Sequence, residues 1–242
     1  MIDRAQINEQ INSYFDEEYE ITEGRVIPNV DDIALINEGT ELELAMLFID
    51  INESTKIVDG IRRITAAKMY KSFLWGVAQI AKLNEGELRS FNGDGVLIAF
   101  NGDHKCTHAA KSALQMNWFI KTILKQKIQD YLNQNNIENW VNFGCGIGID
   151  VGNILVVRGG IRGDNNNDLV WVGNATNRAV KLAKFVTGTD ICISKKLYDS
   201  MNAYSKYSNP NTENEENMWK EHIWDQMGNE KIYGSSWTWK IT

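Results

Sequence analysis

Two short apolar segments, Leu88–Phe91 and Val96–Phe100, are separated only by Asn92–Gly95, which reads Asn-Gly-Asp-Gly. Asn and Gly tolerate the positive φ angles that the tightest two-strand turns require, so this spacing predicts a β-hairpin. A hairpin makes its two strands antiparallel neighbours, and it therefore constrains any sheet that the chain builds around them. It also puts the Asp94 carboxylate in the turn.

The segments around this hairpin alternate between sheet and helix signals. Apolar residues at every second position lead from Glu41 into Asp50, which predicts a strand that ends on an acid. Helical periodicity covers Lys56–Ile64, Ala66–Leu83 and the long stretch His104–Leu132. With the later segments, the predicted order is β-α-α-β-β-α-β-β-α-β. This order indicates an α+β fold of the ferredoxin-like kind, with helices packed on a mainly antiparallel sheet.

The chain divides into an N-terminal helix with an irregular linker, residues 1–40, and one folded domain, residues 41–242. The first part is polar, with a weakly amphipathic start, whereas regular strand and helix patterns begin after it. Within the domain, Gly152 predicts a turn between two strands, Phe143–Val151 and Asn153–Val157.

Charge and apolar segment length restrict the partners of this chain. Lys+Arg 25 against Asp+Glu 32 gives a net charge of −7, without the basic stripe that binding to a nucleic-acid duplex requires. The apolar segments are far shorter than the roughly 20 residues that span a bilayer, so we expect no membrane insertion. Three scattered cysteines and an acidic start without a leader favour a cytoplasmic location.

Two acids follow strand segments and can converge on one edge of the sheet. Asp50 ends the first predicted strand, and Asp94 lies in the hairpin turn. If the two strands are neighbours, both carboxylates and a backbone carbonyl can hold Mg²⁺ or Mn²⁺, since hard cations prefer oxygen ligands and substrate phosphates. For either acid alone, an ordinary turn residue is the simpler interpretation.

Two further segments carry polar groups that suit a nucleotide. Asn52–Thr55 leads into a helix whose free N–H groups can bind phosphate, although Ser54 or Thr55 can equally serve as a helix cap. Asn177 and Lys181 are four residues apart in a later helix and share one face. They can hold a ribose oxygen and a phosphate, or they can simply be solvated.

Together, and in this order, these segments resemble the class III nucleotidyl cyclase catalytic domain over residues 41–185. The family motifs are Phe-x-Asp-Ile-x-x-Ser/Thr, then Gly-Asp-Gly/Ala, and later a helix with Gly-x-x-x-Asn-x-Ala-x-Arg-Leu. The matching positions are Phe48, Asp50, Ile51, Ser54 and Thr55, then Asp94, then Gly173, Asn177, Ala179, Lys181 and Leu182.

This resemblance implies a metal-dependent reaction on a nucleoside triphosphate, in a class III cyclase fold. Two Mn²⁺ or Mg²⁺ ions per site would be held by Asp50, Asp94 and the carbonyl of Ile51. Asn177 would orient the ribose, and Lys181 would offset charge on the α-phosphate in place of the family's Arg. Because the family takes its metal acids from one subunit and its Asn/Arg helix from the other, the resemblance also implies a homodimer.

The positions that select the base depart from those of purine cyclases. Ser90 and Val170 replace the Lys and the Asp that read adenine in the family, and Trp171 adjoins the second position. The pattern is similar to the pyrimidine cyclases of the Pycsar antiphage system. That similarity implies UTP as substrate, cyclic UMP as a messenger in antiphage defence, and a downstream effector protein. The expected substrate-binding residues are Phe48, Ser54, Thr55, Ser90, Val170 and Trp171.

Several alternatives stay open from the sequence. A cytidylate cyclase would make cyclic CMP from CTP, and a purine cyclase could read its base through Arg89 or backbone groups. A non-catalytic nucleotide-binding module is the third alternative, with Lys181 as its lesion, although such a module has little reason to keep both acids. The glycine-rich loop that carries Arg158 and Arg162 fits either a phosphate contact or a plain surface loop.

Overall fold

The residues that the computed structural model describes are 2–138, 143–163, 165–185 and 188–241. They group into two compact units. The larger unit comprises Leu44–Gly152 and Ala175–Thr242, and the smaller one comprises Met1–Glu43 and Asn153–Asn174. Each unit thus combines segments that are distant in sequence. The division near residue 40 into a linker and a catalytic domain stays a prediction.

The strands and helices largely follow the predicted order. In chain order they are α1 (Arg4–Asp16), β1 (Glu20–Glu23), a 3₁₀ turn (Val30–Asp32), β2 (Glu38–Ile51), α2 (Ser54–Gly60), α3 (Arg63–Leu83), β3 (Gly86–Asn92), β4 (Gly95–Phe100), α4 (Lys105–Trp118), π-helical turns (Phe119–Leu124), α5 (Lys125–Gln134), β5 (Cys145–Gly160), β6 (Asn167–Val172), α6 (Asn174–Ala183), β7 (Ile191–Ser194), α7 (Lys195–Ser200), α8 (Ala203–Lys206), β8 (Tyr207–Ser208), β9 (Glu216–Asn217), β10 (Lys220–Trp224), a second 3₁₀ turn (Asp225–Met227) and β11 (Glu230–Ser235).

The sheet of the larger unit has the strand order β10-β11-β7-β5-β2-β4-β3. β4 pairs antiparallel with both β2 and β3, as β11 does with β7 and β10, whereas β5 and β7 are parallel. This arrangement confirms the predicted α+β fold with a mainly antiparallel sheet. In the central strand β2, Ala45–Ile49 are all buried, as expected for a strand that is covered on both faces.

Helix α3 contributes the apolar face that its sequence spacing predicts. Met69, Phe73, Val77 and Ile80 are all buried in the main core. Each such side chain contributes roughly 1.5–3 kcal/mol through removal from water, which fixes the helix on the sheet. The helix predicted over His104–Leu132 is a continuous helical run, but π-helical turns interrupt its α-helical geometry between α4 and α5.

The smaller unit begins with α1, a helix without a buried residue among those described. The side-chain amide of Asn37 donates to the carbonyl oxygens of Ser13, Tyr14 and Glu17 near the end of this helix. These bonds add partners to carbonyl groups at the helix end, where the Ser13 carbonyl also accepts the N–H of Glu17. In the same unit, β1 pairs parallel with the first residues of β2, and β6 pairs antiparallel with the last residues of β5.

The predicted turn at Gly152 is wrong. Cys145–Gly160 forms a single strand that passes through this glycine, and Gly152 does not have a positive φ angle. A glycine in a strand marks a close approach as often as a turn, and here Ala175 lies 3.5 Å from the position of a Cβ. Within the described residues, no helix combines the length and the apolar character needed to cross a membrane.

Candidate active site

Asp50 lies at the end of the central strand β2, where the buried apolar run of that strand reaches the edge of the sheet. Its backbone pairs with Gly95 of β4, and its side chain keeps 20% of its surface exposed. A Cβ on Gly95 would lie 2.5 Å from the ring of Phe48 and 3.1 Å from a carboxylate oxygen of Asp50. Glycine at this position therefore lets β4 pack against both side chains without a clash.

Asp94 lies in the turn of the hairpin that β3 and β4 form. The turn consists of Gly93 and Asp94, because Asn92 still pairs with Gly95, and Gly93 has the positive φ of 67° that glycine adopts readily. Burial, and then the negative charge of Asp94, raises the pKa of the Asp50 carboxyl. Like charges act in this way at close range. The pairing of Asp50 with Gly95, next to Asp94, places both acids at one sheet edge.

The groups at this edge fit a hard divalent cation. Repulsion between Asp50 and Asp94 is relieved when a cation lies between them. Across the part of the chain that the structure describes, no cluster of three or more His, Cys, Asp or Glu side chains is arranged for a metal. Mg²⁺, in contrast to zinc, typically takes one or two carboxylates and fills its remaining positions with water and substrate phosphates. The two acids with the Ile51 carbonyl match that pattern, and their metal role stays a prediction.

The connection after β2 is short and held at both ends. The N–H of Asn52 donates to the carbonyl of Gly144 at 2.9 Å, and Glu53 has a left-handed backbone with φ of 52°. Helix α2 then begins at Ser54, with Glu53 as the preceding residue and without a side-chain cap bond. Ser54 and Thr55 therefore do not act as helix caps, and their predicted role in substrate binding stays open to test.

Tyr70 of α3 is a neighbour of the acids that the sequence did not indicate. Its hydroxyl donates to the carbonyl of Ser54 at 3.4 Å. Burial, and then the charge of Asp94, raises the pKa of this hydroxyl. The helical period of α3 places Tyr70 at the border of its apolar face, but only the packing of that helix reveals that the border faces the acids.

Helix α6 packs directly on β5 because two glycines of that strand place no side chain between the strand and the helix. A Cβ on Gly148 would lie 2.0 Å from the carbonyl oxygen of Ala179, and one on Gly146 would lie 1.9 Å from that of Ala183. Both alanines are buried in the contact. The small residues on both sides therefore fix the depth at which α6 sits.

The exposed face of α6 carries Asn177 and Lys181, which the sequence predicted to share a face. The Nζ atom of Lys181 lies 3.9 Å from the sulfur of Met227. Among the described residues, no hydrogen bond or ion pair joins either side chain to Asp50 or Asp94. Their roles toward ribose and phosphate stay predictions.

Arg178 anchors this helix from the position between those two residues. Its Nε donates to Asp150 of β5 at 2.8 Å, and its Nη2 donates to Glu230 of β11 at 2.6 Å. The guanidinium carbon also lies 5.4 Å from the ring centroid of Trp224. The sequence did not indicate Arg178. Its position is a variable one in the family motif, and the sequence alone does not show whether a charged residue there is solvated or buried.

Lys184 is a second cation that the sequence did not indicate. It directly follows α6, and its Nζ lies 3.6 Å from Oδ2 of Asp50. This ammonium group lowers the pKa of Asp50, against the larger effects of burial and Asp94. Lys184 lies three residues beyond Lys181. The ammonium group of Lys184 faces Asp50, whereas that of Lys181 faces the sulfur of Met227.

The residues expected to contact the base lie in both units. Ser90 is half-buried on β3, next to a bulge at Arg89, and Arg89 forms an ion pair with Glu87. Val170 and Trp171 belong to β6 in the smaller unit, where Val170 is 47% exposed. Their contacts with a base stay predictions.

Arg158 is part of the internal structure of the smaller unit. Its guanidinium donates to the side chains of Asn167 and Asp31 and to the carbonyl of Ile33, at 2.8, 3.1 and 3.3 Å. For Arg158, these bonds favour a structural role in the loop over a contact with phosphate. Arg162 of the same loop is exposed.

Sequence comparison identifies curated relatives along almost the whole chain. The chain is 32% identical to the uridylate cyclase of Xanthomonas perforans over 228 residues, which cover 94% of each protein. It is 31% identical to the uridylate cyclase of Burkholderia cepacia over 233 residues, or 96% of each protein. No protein-family model matches the chain.

Solved structures share the fold at much lower identity. A guanylyl cyclase superposes with a TM-score of 0.64 at 16% identity, covering 83% of this chain and 95% of that one. A dimeric guanylyl cyclase domain from the aquatic fungus Blastocladiella emersonii gives 0.61 at 17% identity, with 81% and 97% covered. These likenesses confirm the predicted class III cyclase fold.

Proposed function

This chain belongs to the uridylate cyclase family, a family of nucleotidyl cyclases, and we propose that it converts UTP into 3′,5′-cyclic UMP and pyrophosphate. The observation that carries the proposal is the register of β2, β4 and β3, which brings Asp50 and the turn that contains Asp94 to one sheet edge. Two carboxylates that repel each other weaken the fold of a protein that only binds a nucleotide. In a metal-dependent enzyme the same pair is required, which favours catalysis over simple binding.

The groups that would hold two Mg²⁺ or Mn²⁺ ions are Asp50, Asp94 and the carbonyl of Ile51. Bound there, such cations would lower the pKa of the ribose 3′-hydroxyl and offset the charge of the triphosphate. The contribution of the chain is the register between β2 and β4, which sets Asp50 opposite Gly95 and brings the hairpin turn to the same edge.

The proposed reaction is an in-line displacement at the α-phosphorus. The 3′-oxygen forms a bond to that phosphorus, the bond to the oxygen that bridges to the β-phosphate breaks, and pyrophosphate leaves with the electron pair. The hydroxyl proton passes to water. Asn177 would orient the ribose, and Lys181 would offset the charge that develops on the α-phosphate. Ser54 and Thr55, which follow Asp50 along the chain, would bind the triphosphate.

The two sequence positions that read adenine in purine cyclases lack the Lys and Asp pair here, which favours a pyrimidine. Ser90 and Val170 occupy those two sequence positions. Trp171 directly follows Val170, and Phe48 and Ser90 both pair with Leu97 of β4, from opposite sides. A purine would bury polar edges without partners, at about 1–3 kcal/mol for each unsatisfied group. Uracil is preferred over cytosine because the curated relatives are uridylate cyclases.

The proposed enzyme is a homodimer with two sites, in which α6 of one protomer completes the acids of the other. A guanylyl cyclase domain among the structural neighbours forms a dimer, of a non-canonical kind, which supports a dimer here. The composite site is proposed from the resemblance of the sequence motifs. The product would act as a messenger in antiphage defence, and a separate effector protein would respond to cyclic UMP. Resemblance to the Pycsar cyclases supports this role.

A competition assay tests the proposal. The purified protein is incubated with equal UTP, CTP, ATP and GTP and with Mn²⁺, and mass spectrometry identifies the products. We expect cyclic UMP to dominate, and an Asp94→Ala preparation to make none. Dominant cyclic CMP would overturn only the choice of pyrimidine, and dominant cyclic AMP or cyclic GMP would overturn the base assignment. Nucleotide binding without any cyclic product would identify a binding module.

A further inference from the structure

Lys184 brings a positive charge to the acids from the end of α6. Its N–H donates to the carbonyl of Lys181 at 3.2 Å, so the backbone of Lys184 is still part of the last helical turn. The Nζ of its side chain reaches Asp50 at 3.6 Å. Helix α6 itself is fixed against β5 by Gly146 and Gly148, so this reach is set by the packing of the helix.

The surroundings of Asp50 contain charges of both signs. Asp50 pairs with Gly95, which directly follows Asp94 of the hairpin turn, and the Nζ atom of Lys184 lies 3.6 Å from Oδ2 of Asp50. Lys184 thus supplies to Asp50 a positive charge of the kind that a metal ion bound to this carboxylate would supply. A lysine ammonium and a divalent cation cannot both lie against one carboxylate without repelling each other.

We propose that Lys184 is a resident counter-cation, which neutralises Asp50 in the metal-free enzyme and is displaced from it when a divalent cation binds. This inference rests on the proposed function of Asp50 and Asp94 as metal acids. Lys184 then acts as a positioning residue: it holds the Asp50 carboxylate at the sheet edge before the metal arrives and lowers the affinity for the first ion.

An open space next to Lys184 allows this displacement. The side chain lines a cavity of about 580 Å³, together with Asn52, Glu53 and Lys125. The Lys184 side chain is 63% exposed and is not held by packing. Its ammonium can therefore move away from Asp50 into water without unfolding the last turn of α6.

Titration of Mn²⁺ by electron paramagnetic resonance, which detects the free ion, tests the proposal without turnover. Lys184→Met removes the charge at similar volume, and Lys184→Arg keeps it. Lys195→Met is the control, because Lys195 is also a largely exposed lysine in an ion pair, with Asp199, away from the proposed metal acids. We expect Lys184→Met to bind Mn²⁺ roughly fivefold more tightly than the wild type, whereas Lys184→Arg and Lys195→Met stay within twofold.

Amine labelling gives a second readout. Reductive methylation of Lys184, followed by peptide mass spectrometry, is expected to be faster with Mn²⁺ than with EDTA, while Lys195 is labelled equally in both. Unchanged or weaker Mn²⁺ binding by Lys184→Met, with binding that still depends on Asp94, would overturn the role of Lys184. Mn²⁺ binding that survives Asp94→Ala would instead overturn the metal site of the proposed function.

Discussion

The Nε atom of Arg178 donates a hydrogen bond to Oδ2 of Asp150 at 2.8 Å, and this bond ties α6 to the strand beneath it. Both side chains are largely buried, with 19% and 7% of their surfaces exposed. Asn177 precedes this arginine, and Lys181 lies less than one turn beyond it. This contact therefore helps to set the rotation of α6 about its axis, and with it the direction in which Asn177 and Lys181 point.

Arg178→Met is expected to lower the free energy of unfolding by about 2–4 kcal/mol, because it leaves the buried Asp150 carboxylate without its partner. Glu230→Gln removes only the more exposed partner and is expected to cost about 1 kcal/mol or less. Chemical denaturation measures both. At temperatures where all variants are folded, Arg178→Met should lower kcat more than it raises KM. Equal stability of the two variants would contradict the anchoring role.

Gly148→Ala is expected to displace α6, because the added Cβ would lie 2.0 Å from the Ala179 carbonyl oxygen and 2.3 Å from the Ala183 nitrogen. Overpacking of this kind costs about 1–3 kcal/mol, and turnover should fall by at least tenfold in protein that is still folded. Gly152→Ala on the same strand is the matched control, since its nearest neighbour is 3.5 Å away. Similar thermal unfolding and activity for both variants would show that the spacing of α6 is not critical.

The sequence was sufficient for the features that depend on local patterns. The turn around Gly93 follows from residues in direct succession, and so does the strand that ends at Asp50. Arg178, Lys184 and Tyr70 could not be identified in this way, because their partners are far away in sequence and their own surroundings are ordinary helix. The prediction for Gly152 was wrong for the same reason. The local sequence does not distinguish a glycine that permits close packing from a glycine that permits a turn.

Asp50→Asn is expected to stabilise the metal-free protein while abolishing product formation. The folded-state pKa of Asp50 is raised above its ordinary value of 3.8, so its stabilising contribution is present below that value and is lost as the pH rises through the folded-state pKa. At pH 7 in EDTA, the variant should therefore unfold roughly 1–3 °C above the wild type, with a smaller difference near pH 4.

Asp199→Asn is the control for that measurement, because Asp199 is an exposed carboxylate that is ion-paired with Lys195. We expect no gain in its unfolding temperature at pH 7. If Asp50→Asn also unfolds at or below the wild-type temperature in EDTA, the repulsion between Asp50 and Asp94 is not a significant cost to the fold.

Mixing of inactive variants tests whether the two halves of the site come from different protomers. Asp50→Ala damages the acids, and Lys181→Ala damages the exposed face of α6. In a dimer with composite sites, the heterodimer of these variants has one site with both lesions and one intact site. Unfolding and refolding of an equal mixture makes about half of all dimers heterodimers, so we expect about one quarter of wild-type activity.

A mixture of Asp50→Ala with Asp94→Ala must stay inactive, because both lesions lie in the acid half of the site. Activity of the first mixture no higher than that of its parents, in protein that sediments as a dimer, would mean that each protomer builds its site alone.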